Sequence, residues 1–172
     1  MKNKESHLRT LVHPFPMVFD AASRVLILGS FPSVKAVADG YYYANPHNRF
    51  YQVLSAVFDA DFVSVPWEGK KAMLLERHIA LHDSIGYCQI IGSSDAKIKD
   101  VQPSNLREIL ASARIQKVIC NGVEAYQEYK RFFADIDIPV ARAPSTSPAN
   151  AKMRLGDLVA EWEVLFGDIL TS

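Results

Sequence analysis

The stretch that decides the fold is residues 24–30, RVLILGS. Its middle is short and aliphatic, and Gly29, Ser30 and Pro32 bring it to an end. Such a run is typical of a β-strand that is buried on both faces, as strands are in parallel sheets. We therefore interpret residues 24–30 as the first strand of a buried sheet.

Further strands and helices are predicted to alternate along the chain. The predicted strands are residues 79–83, 116–122 and 138–143, and the spacing of apolar residues predicts helices over 49–59, 67–78, 104–112, 124–133 and 155–169. Ser104 is expected to cap the third of these helices. Alternation of this kind favours a three-layer α/β/α fold with a four-stranded, mainly parallel sheet. In such folds ligands bind beyond the carboxyl ends of the strands.

Two stretches carry no such pattern. Residues 84–103 are rich in Gly, Ser, Asp and Lys, and we interpret them as a long functional loop. Residues 1–23 are interpreted as an N-terminal extension. Since the chain has no repeat and no interdomain linker, we expect a single domain over residues 1–172.

The balance of charge excludes a global attraction to polyanions. Lys plus Arg and Asp plus Glu both number 19, so the formal net charge is zero. Contact with a nucleic acid would therefore depend on local cations. The candidates, each of which could equally belong to an ordinary solvated surface, are Arg142, Lys152, Arg154, Lys97 and Lys99.

Several reaction classes lack their usual residues. The two cysteines, Cys88 and Cys120, are too few for a four-cysteine iron–sulfur or zinc site. The sequence has no GxGxxG, P-loop, GxSxG or HExxH motif. It also has no apolar run as long as a membrane span and no signal-peptide core. The expectation is a reduced, cytoplasmic, metal-free protein.

Two polar loops are the candidates for chemistry: YYYANPHNRF at residues 41–50 and PSTSPAN at residues 144–150. We expect them to meet at the carboxyl end of the sheet. Tyrosine rings can stack on a base, and amides and hydroxyls can bond base edges or phosphate oxygens. Strand-to-helix turns offer backbone N–H groups to an anion. The pattern favours binding of a neutral planar group beside phosphates.

Together these segments resemble the uracil-DNA glycosylase superfamily. VLILGSFPS at residues 25–33 is similar to its first motif, and YANPHNRF at residues 43–50 is similar to the segment that follows in the mismatch-specific branch. PSTSPAN resembles the second motif of the hypoxanthine-DNA glycosylase branch. The resemblance implies a four-stranded parallel sheet between helices, no cofactor, and hydrolysis of the N-glycosidic bond of a base flipped out of DNA.

Two positions depart from the family pattern. Phe31 stands where many relatives have a catalytic Asp or Asn, and Ala143 stands where many have the His or Asn that stabilises the departing base. Asn48 then becomes the candidate for placing the hydrolytic water or the sugar, since the hypoxanthine-type branch uses an asparagine there. A role as N-cap of the helix at 49–59 is an equal alternative for Asn48.

The resemblance also implies a base pocket and DNA contacts. Tyr43 would stack under the base and Asp83 would read its edge, with Ser30 and Phe31 beside them. Tyr43 could instead cover an edge of the core, and Asp83 could be a loop or capping residue. His82 is interpreted as a packed or surface residue. The DNA backbone and minor groove would be contacted by Ser145, Thr146, Ser147 and Asn150.

The predicted function is that of a monofunctional DNA glycosylase. Hypoxanthine is ranked first and xanthine or uracil next, since all are neutral bases with a lactam group. The expected partner is DNA with a damaged or mismatched base. The protein is expected to be a monomer and to lie in the cytoplasm, on the nucleoid when it binds DNA. Two alternatives stay open: a silent lesion-binding module, favoured by Phe31 and Ala143, and a hydrolase of free nucleosides, consistent with zero net charge.

Overall fold

The computed structural model describes residues 8–91 and 97–170. Their strands are β1 (Leu8–Val12), β2 (Val25–Gly29), β3 (Ile79–Asp83), β4 (Ile85–Ile91), β5 (Lys97–Pro103), β6 (Lys117–Asn121) and β7 (Val140–Ala143). Their helices are α1 (Val34–Asp39), α2 (Phe50–Phe58), α3 (Trp67–Glu76), α4 (Leu106–Ser112), α5 (Val123–Phe132) and α6 (Leu155–Phe166), and a 3₁₀ turn follows over Gly167–Leu170.

A parallel sheet of four strands, in the order β3-β2-β6-β7, forms the centre of the molecule. Successive residues of β2 point to opposite cores, as the pleat of a strand requires. Val25 and Ile27 pack with α2, α3 and α6, whereas Leu26 and Leu28 pack with α4 and α5. The predicted three-layer α/β/α fold with a four-stranded parallel sheet is confirmed.

The register of this sheet gathers polar residues at its carboxyl edge. Gly29, the last residue of β2, lies opposite Asp83, the last residue of β3. On the other side of β2, β6 ends at Asn121, which is paired with Ala143 of β7. The loops that follow these strands therefore begin next to one another.

The interpretation of residues 84–103 as an irregular loop is wrong. β4 and β5 form an antiparallel hairpin, and β1 pairs with the other side of β4 to complete a second sheet. The β4 sequence IGYCQII consists largely of residues that favour strands. Register shifts between Ile85 and Gln89 interrupt the regular alternation, and the polar composition of the hairpin conceals the remaining pattern.

The N-terminal segment is part of the fold from Leu8 onwards. β1 belongs to the second sheet, and Val18 exchanges two backbone hydrogen bonds with Leu81 of the edge strand β3. Between these contacts the backbone N–H of His13 donates to Gly86 O at 2.8 Å. The segment thus closes the β3 edge of the parallel sheet, which would otherwise expose unpaired backbone groups.

Ser104 does not cap α4, contrary to the prediction. The N-cap position is Asn105, whose side chain makes no capping hydrogen bond. The Ser104 hydroxyl is buried without a partner among the described residues, and its backbone N–H donates to Ser84 O at 2.8 Å. This hydrogen bond to Ser84, the residue that follows β3, fixes the position of Ser104. The helix α4 begins two residues later, at Leu106.

Candidate active site

A cleft of about 630 Å³ lies at the carboxyl edge of the parallel sheet. Its volume falls within the range of about 300–1,000 Å³ that is usual for ligand sites. The turn after β2, the loop before α2 and the loop after β7 line it, and Asp83 and Asn121 contribute from the neighbouring strands. The two polar loops at residues 41–50 and 144–150 therefore meet at one site, as predicted.

The floor of the cleft is built around Gly29. A Cβ atom at this position would collide with Asp83 Oδ1 and would lie 2.8 Å from the Tyr43 hydroxyl. Only glycine leaves room for both polar atoms to approach the end of the strand. A carboxylate oxygen and a phenol hydroxyl are thereby brought close together at the bottom of the cleft.

Tyr43 reaches this floor through a strained backbone. Its φ of 56° lies in the left-handed region, which bulky side chains rarely adopt. One side of its ring packs on Phe50, with centroids 4.1 Å apart, and its hydroxyl is buried without a hydrogen-bond partner among the described residues. Burial, and then the charge of Asp83, raise the pKa of Tyr43. The hydroxyl is therefore a neutral group with an unused donor, enclosed at the base of the cleft.

Asn48 is held by a relay of hydrogen bonds. Its Oδ1 accepts from the Phe50 backbone N–H at 3.0 Å and from the Thr146 hydroxyl at 2.8 Å. The Thr146 hydroxyl accepts from Asn121 Nδ2 at 2.9 Å, and Asn121 Oδ1 accepts from the Thr146 backbone N–H at 3.0 Å. Both lone pairs of Asn48 Oδ1 are used, which fixes the orientation of the amide and leaves Nδ2 for a ligand.

The two roles considered for Asn48 involve different atoms. Its oxygen bonds the N–H of Phe50, the first residue of α2, although the N-cap position itself is Arg49. Asn48 lines the cleft, and its nitrogen takes no part in these hydrogen bonds. A structural role for the oxygen is therefore compatible with a catalytic role for the nitrogen, which stays a prediction.

The loop after β7 is tied down from several sides. Trp162 Nε1 donates to Pro144 O at 3.0 Å. The Arg49 guanidinium donates to Asn150 O at 2.9 Å, and the Asn150 amide donates to Ser145 O at 3.0 Å. Arg49 thus fastens the second polar loop to the first, and the Asn150 side chain supports the loop from within.

The predicted DNA contacts of this loop differ in exposure. Thr146 is fully buried and its hydroxyl belongs to the Asn48 relay, so the prediction that its side chain contacts DNA has to be corrected. Ser145 and Ser147 are half-buried, and Pro148 and Ala149 form an exposed tip. A motif resemblance gives the position of a loop, but it does not say which of the loop's side chains point inwards.

Asp83 has a partner that the sequence analysis missed. Its Oδ2 lies 2.7 Å from His13 Nε2, and the side chains are 6% and 5% exposed. Burial raises the pKa of Asp83, whereas the hydrogen bond and charge of His13 lower it. The two residues are 70 positions apart, and no local pattern links them.

Ser30, a predicted base contact, has its hydroxyl committed to α5. Ser30 Oγ donates to Glu128 Oε1 at 2.6 Å, and Ser84 Oγ donates to Glu128 Oε2. Burial raises the pKa of Glu128, and the two serine hydrogen bonds oppose this rise. Phe31 lines the cleft and contacts the His13 ring edge-on, with centroids 5.8 Å apart.

The sequence analysis did not predict Asn121, Glu128 or His13, and only Asn121 could have been recognised from the sequence. Asn121 is a polar residue at the end of a buried strand, and the same argument selected Asp83. Glu128 lies within an ordinary helical repeat, and His13 lies in a segment without periodicity. Only the folded chain brings Glu128 against Ser30 and His13 against Asp83, two residues that line the cleft.

Three further properties of the described residues bear on the chemistry. Cys88 and Cys120 are buried free thiols, and burial raises the pKa of Cys120 to about 12, so this thiol is a poor nucleophile. No group of three His, Cys, Asp or Glu residues is arranged for a metal ion in the part of the chain that the structure describes. Within residues 8–91 and 97–170, no helix has the length and apolar character to cross a membrane.

These features define a class of protein. A doubly covered parallel sheet ends in a cleft whose floor offers amide, phenol and carboxylate groups, which suits an α/β protein that binds a planar polar base. Residues 16–165, most of the chain, match the uracil DNA glycosylase superfamily. The chain belongs to that superfamily, as its motifs predicted.

Two relatives cover nearly the whole chain. A protein from Methanosarcina acetivorans named hypoxanthine DNA glycosylase is 30% identical over 155 residues, which are 88% of this chain and 96% of the relative. A protein of the same name from Methanosarcina barkeri is 28% identical over 141 residues, which are 80% and 87% of the two chains.

Solved structures share the fold. The solution NMR structure of a Methanosarcina acetivorans protein, described as a candidate uracil DNA glycosylase, has a TM-score of 0.78 at 28% identity and covers 92% of this chain and 99% of its own. The crystal structure of SMUG2 from Pedobacter heparinus has a TM-score of 0.51 at 12% identity, with 87% and 77% covered. At that identity the second likeness concerns the fold alone.

Proposed function

We propose that this protein is a monofunctional DNA glycosylase that removes a deaminated base from DNA, hypoxanthine before xanthine or uracil. The observation that carries the proposal is the convergence of Asp83 Oδ1 and the Tyr43 hydroxyl on Gly29, in the cleft that also contains the Asn48 amide. Membership of the superfamily and the relatives named hypoxanthine DNA glycosylase support it.

Deamination creates the base edge that such a floor can recognise. Adenine presents an unprotonated N1 and an exocyclic amine, whereas hypoxanthine presents N1–H and a C6 carbonyl. An ionised Asp83 can accept from the ring N–H, and the neutral Tyr43 hydroxyl can donate to the carbonyl oxygen. The lone pair of adenine N1 would face the carboxylate and be repelled. Xanthine and uracil carry the same N–H and C=O pair and come next in the proposed order. Guanine and thymine carry it too, so this pair separates hypoxanthine from adenine and uracil from cytosine, and the lower cost of flipping a damaged base supplies the rest of the selection.

The proposed chemistry is direct hydrolysis. The glycosidic bond breaks with its electron pair going to the base, C1′ acquires oxocarbenium character, and a water oxygen attacks C1′ and releases its proton to the base or to solvent. Since Asn48 Oδ1 is occupied, this residue cannot take that proton. Its Nδ2–H instead holds the water, or an oxygen of the departing base, as a preorganised donor.

DNA is proposed to lie across the loop after β7. The exposed tip at Pro148 and Ala149 enters the minor groove, and the exposed cations Arg142, Lys152 and Arg154 contact phosphates. We further propose that the protein acts as a monomer, in the cytoplasm and on nucleoid DNA. The unbridged thiols are consistent with a reducing compartment.

A set of duplexes with a single altered base tests the function. Each duplex carries deoxyinosine (dI), deoxyxanthosine, deoxyuridine or, as the control with a normal base in a mismatch, deoxyadenosine (dA) at one position opposite dC. The expected result is strand scission after alkali, greatest for dI and absent for dA. Scission without alkali, or a covalent adduct trapped by borohydride, would contradict a monofunctional mechanism. Failure to produce alkali-labile sites in every lesion duplex would overturn the proposal, and tight binding without turnover would identify a silent lesion-binding module.

A further inference from the structure

His13 lies outside the part of the chain that matches the superfamily, residues 16–165, yet its side chain is almost completely buried beside the base-reading carboxylate. It is positioned by its own backbone, which bonds Gly86 of β4. The second sheet therefore holds this imidazole against the carboxyl edge of the first sheet.

The surroundings of the His13 imidazole determine where its protons can be. Nδ1 lies 3.1 Å from Phe15 O and 3.2 Å from the Phe15 backbone N. If Nδ1 accepts from that backbone N–H, the neutral ring carries its proton on Nε2. If Nδ1 instead donates to Phe15 O while Asp83 is ionised, the ring is an imidazolium. In both cases Nε2–H donates to Asp83 Oδ2.

Aromatic packing keeps this donor in place. Phe15 and Phe31 contact the imidazole edge-on with centroids 5.8 Å away, Tyr42 lies at 5.7 Å and His82 at 4.5 Å. With rings on several sides, the imidazole cannot swing away without opening this cluster.

The other titratable groups near Asp83 do not replace His13. Burial, and then His13, lower the pKa of His82 to about 3, so His82 is neutral at neutral pH, and its Nδ1 lies 2.7 Å from the Tyr42 hydroxyl. Burial, and then Asp83, raise the pKa values of Tyr42 and Tyr43, so both are neutral phenols. Glu128 is acidic and is bonded by two serines.

We infer that His13 is a positioning residue that determines specificity, because it holds Asp83 as a hydrogen-bond acceptor. The cleft then takes bases with a ring N–H and rejects bases whose ring nitrogen carries a lone pair. Without the Nε2–H donor, burial would favour a protonated Asp83. A protonated Asp83 could donate to adenine N1, and it would accept from hypoxanthine N1–H only through a neutral carbonyl oxygen, which is a weaker acceptor than a carboxylate. The identity of the ligand rests on the proposed function, whereas the coupling of the two side chains does not.

The test uses two substitutions at His13 and a neighbouring control. His13→Phe keeps an aromatic ring but removes the donor. His13→Gln places an amide N–H at about the position of the imidazole Nε2. Val12→Ala changes an exposed residue of the same segment and leaves the cleft untouched. Three quantities are compared: the Asp83 carboxyl titration followed by ¹³C NMR, the pH profile of kcat/KM on dI, and the ratio of kcat/KM for dI to that for dA opposite dC.

His13→Phe is expected to move the carboxyl titration, and with it the acidic limb of the dI profile, to higher pH by about one unit or more. At a pH between the old and new limbs, the preference for dI over dA should fall about tenfold or more, since one pKa unit is a factor of ten. His13→Gln should restore most of both properties, and Val12→Ala should match the wild type.

The outcomes separate the inference from the proposed function. An unchanged carboxyl titration in His13→Phe would overturn the inference, even if the wild type excises hypoxanthine. If the wild type cuts no lesion but the titration moves as expected, the proposed function fails and the coupling stands. If His13→Phe does not fold, His13→Met, which also lacks a donor, takes its place, and an acidic limb that stays at its wild-type position would overturn the inference.

Discussion

The cleft has two polar sides that are held in different ways. On the Asn48 side, the hydrogen bonds join amides, a hydroxyl and a backbone N–H, all of them neutral. On the Asp83 side, a buried carboxylate whose pKa is raised by burial bonds an imidazole. Neutral hydrogen bonds do not change as the pH falls through the pKa of a carboxyl group, whereas those of a carboxylate do. Bond breaking, which we assign to Asn48, and base selection, which we assign to Asp83, should therefore respond differently to pH.

Asn48→Ala should have the largest effect. Removal of a preorganised donor typically lowers kcat by about 10²- to 10³-fold. Binding of the dI duplex should change little, and the loss should be equal across the pH range. Single-turnover excision and a fluorescence titration measure the two quantities, with the exposed neighbour His47→Ala as control. If the excision rate falls no further than the lower melting temperature of the variant explains, only the structural role of Asn48 remains.

Gly29→Ala should disturb the Asp83 side directly. The added Cβ would displace Asp83 Oδ1 and the Tyr43 hydroxyl. A displacement of about 1 Å in a positioning group can cost about 10²-fold in rate. Gly156→Ala is the matched control, because a Cβ there meets no atom within 4 Å. Equal kcat/KM on dI for the two variants would contradict the proposed floor.

Asp83→Asn separates recognition from catalysis. Burial raises the pKa of Asp83, and its ionised form is the stronger acceptor for a ring N–H, so wild-type activity on dI should fall as the pH falls through that pKa. In Asp83→Asn this fall should be absent, and kcat/KM on dI at neutral pH should be lower by about tenfold at most. The measurement is kcat/KM from neutral pH downwards. An identical acidic limb in the variant would assign the titration to another group.

Thr146→Val tests the neutral side through its support. Valine keeps the shape but leaves Asn121 Nδ2 unpaired and Asn48 Oδ1 with one partner fewer. The free energy of unfolding should fall by about 1–3 kcal/mol, and kcat should fall less than in Asn48→Ala. Urea denaturation and excision rates measure both, and Thr146→Ser, which retains the hydroxyl, should lie close to the wild type. If the excision rate falls as far as it does in Asn48→Ala, Thr146 does more than position Asn48.

Ser147→Ala should have the smallest effect. The Ser147 hydroxyl accepts from the Ala149 backbone N–H and supports the exposed tip of the loop. Loss of one such hydrogen bond, at about 1 kcal/mol, corresponds to a weakening of duplex binding of about fivefold. Fluorescence anisotropy with an undamaged duplex measures it, with Glu161→Ala on the exposed surface of α6 as control. A change in base preference would contradict a role confined to DNA contact.

The parallel sheet could be predicted because its strands are buried on both faces and therefore form continuous apolar runs, such as residues 24–30. The hairpin of β4 and β5 could not be predicted in the same way. Its strands are partly exposed, and its register shifts interrupt the alternation that marks a half-buried strand.

The site was predicted as far as local pattern and resemblance extend. Asn48, Tyr43 and Asp83 lie in the cleft, as expected from strand ends and motif loops. The partners that set their chemistry come from distant parts of the chain: Thr146 binds Asn48 across 98 positions, and His13 binds Asp83 across 70. Such pairings depend on how the two sheets meet, which a single sequence does not encode in any local spacing.

The position of β1 and His13 also affects how the protein should be engineered. A shortened version cut at the superfamily boundaries, residues 16–165, would discard β1 and His13 together. It would keep the parallel sheet and the Asn48 relay, but Asp83 would lose its imidazole and β4 would become an open edge. On the proposed function and the inference about His13, this truncation should weaken discrimination between bases more than it slows excision. Base selection would then depend on a segment outside residues 16–165, and bond breaking on residues within them.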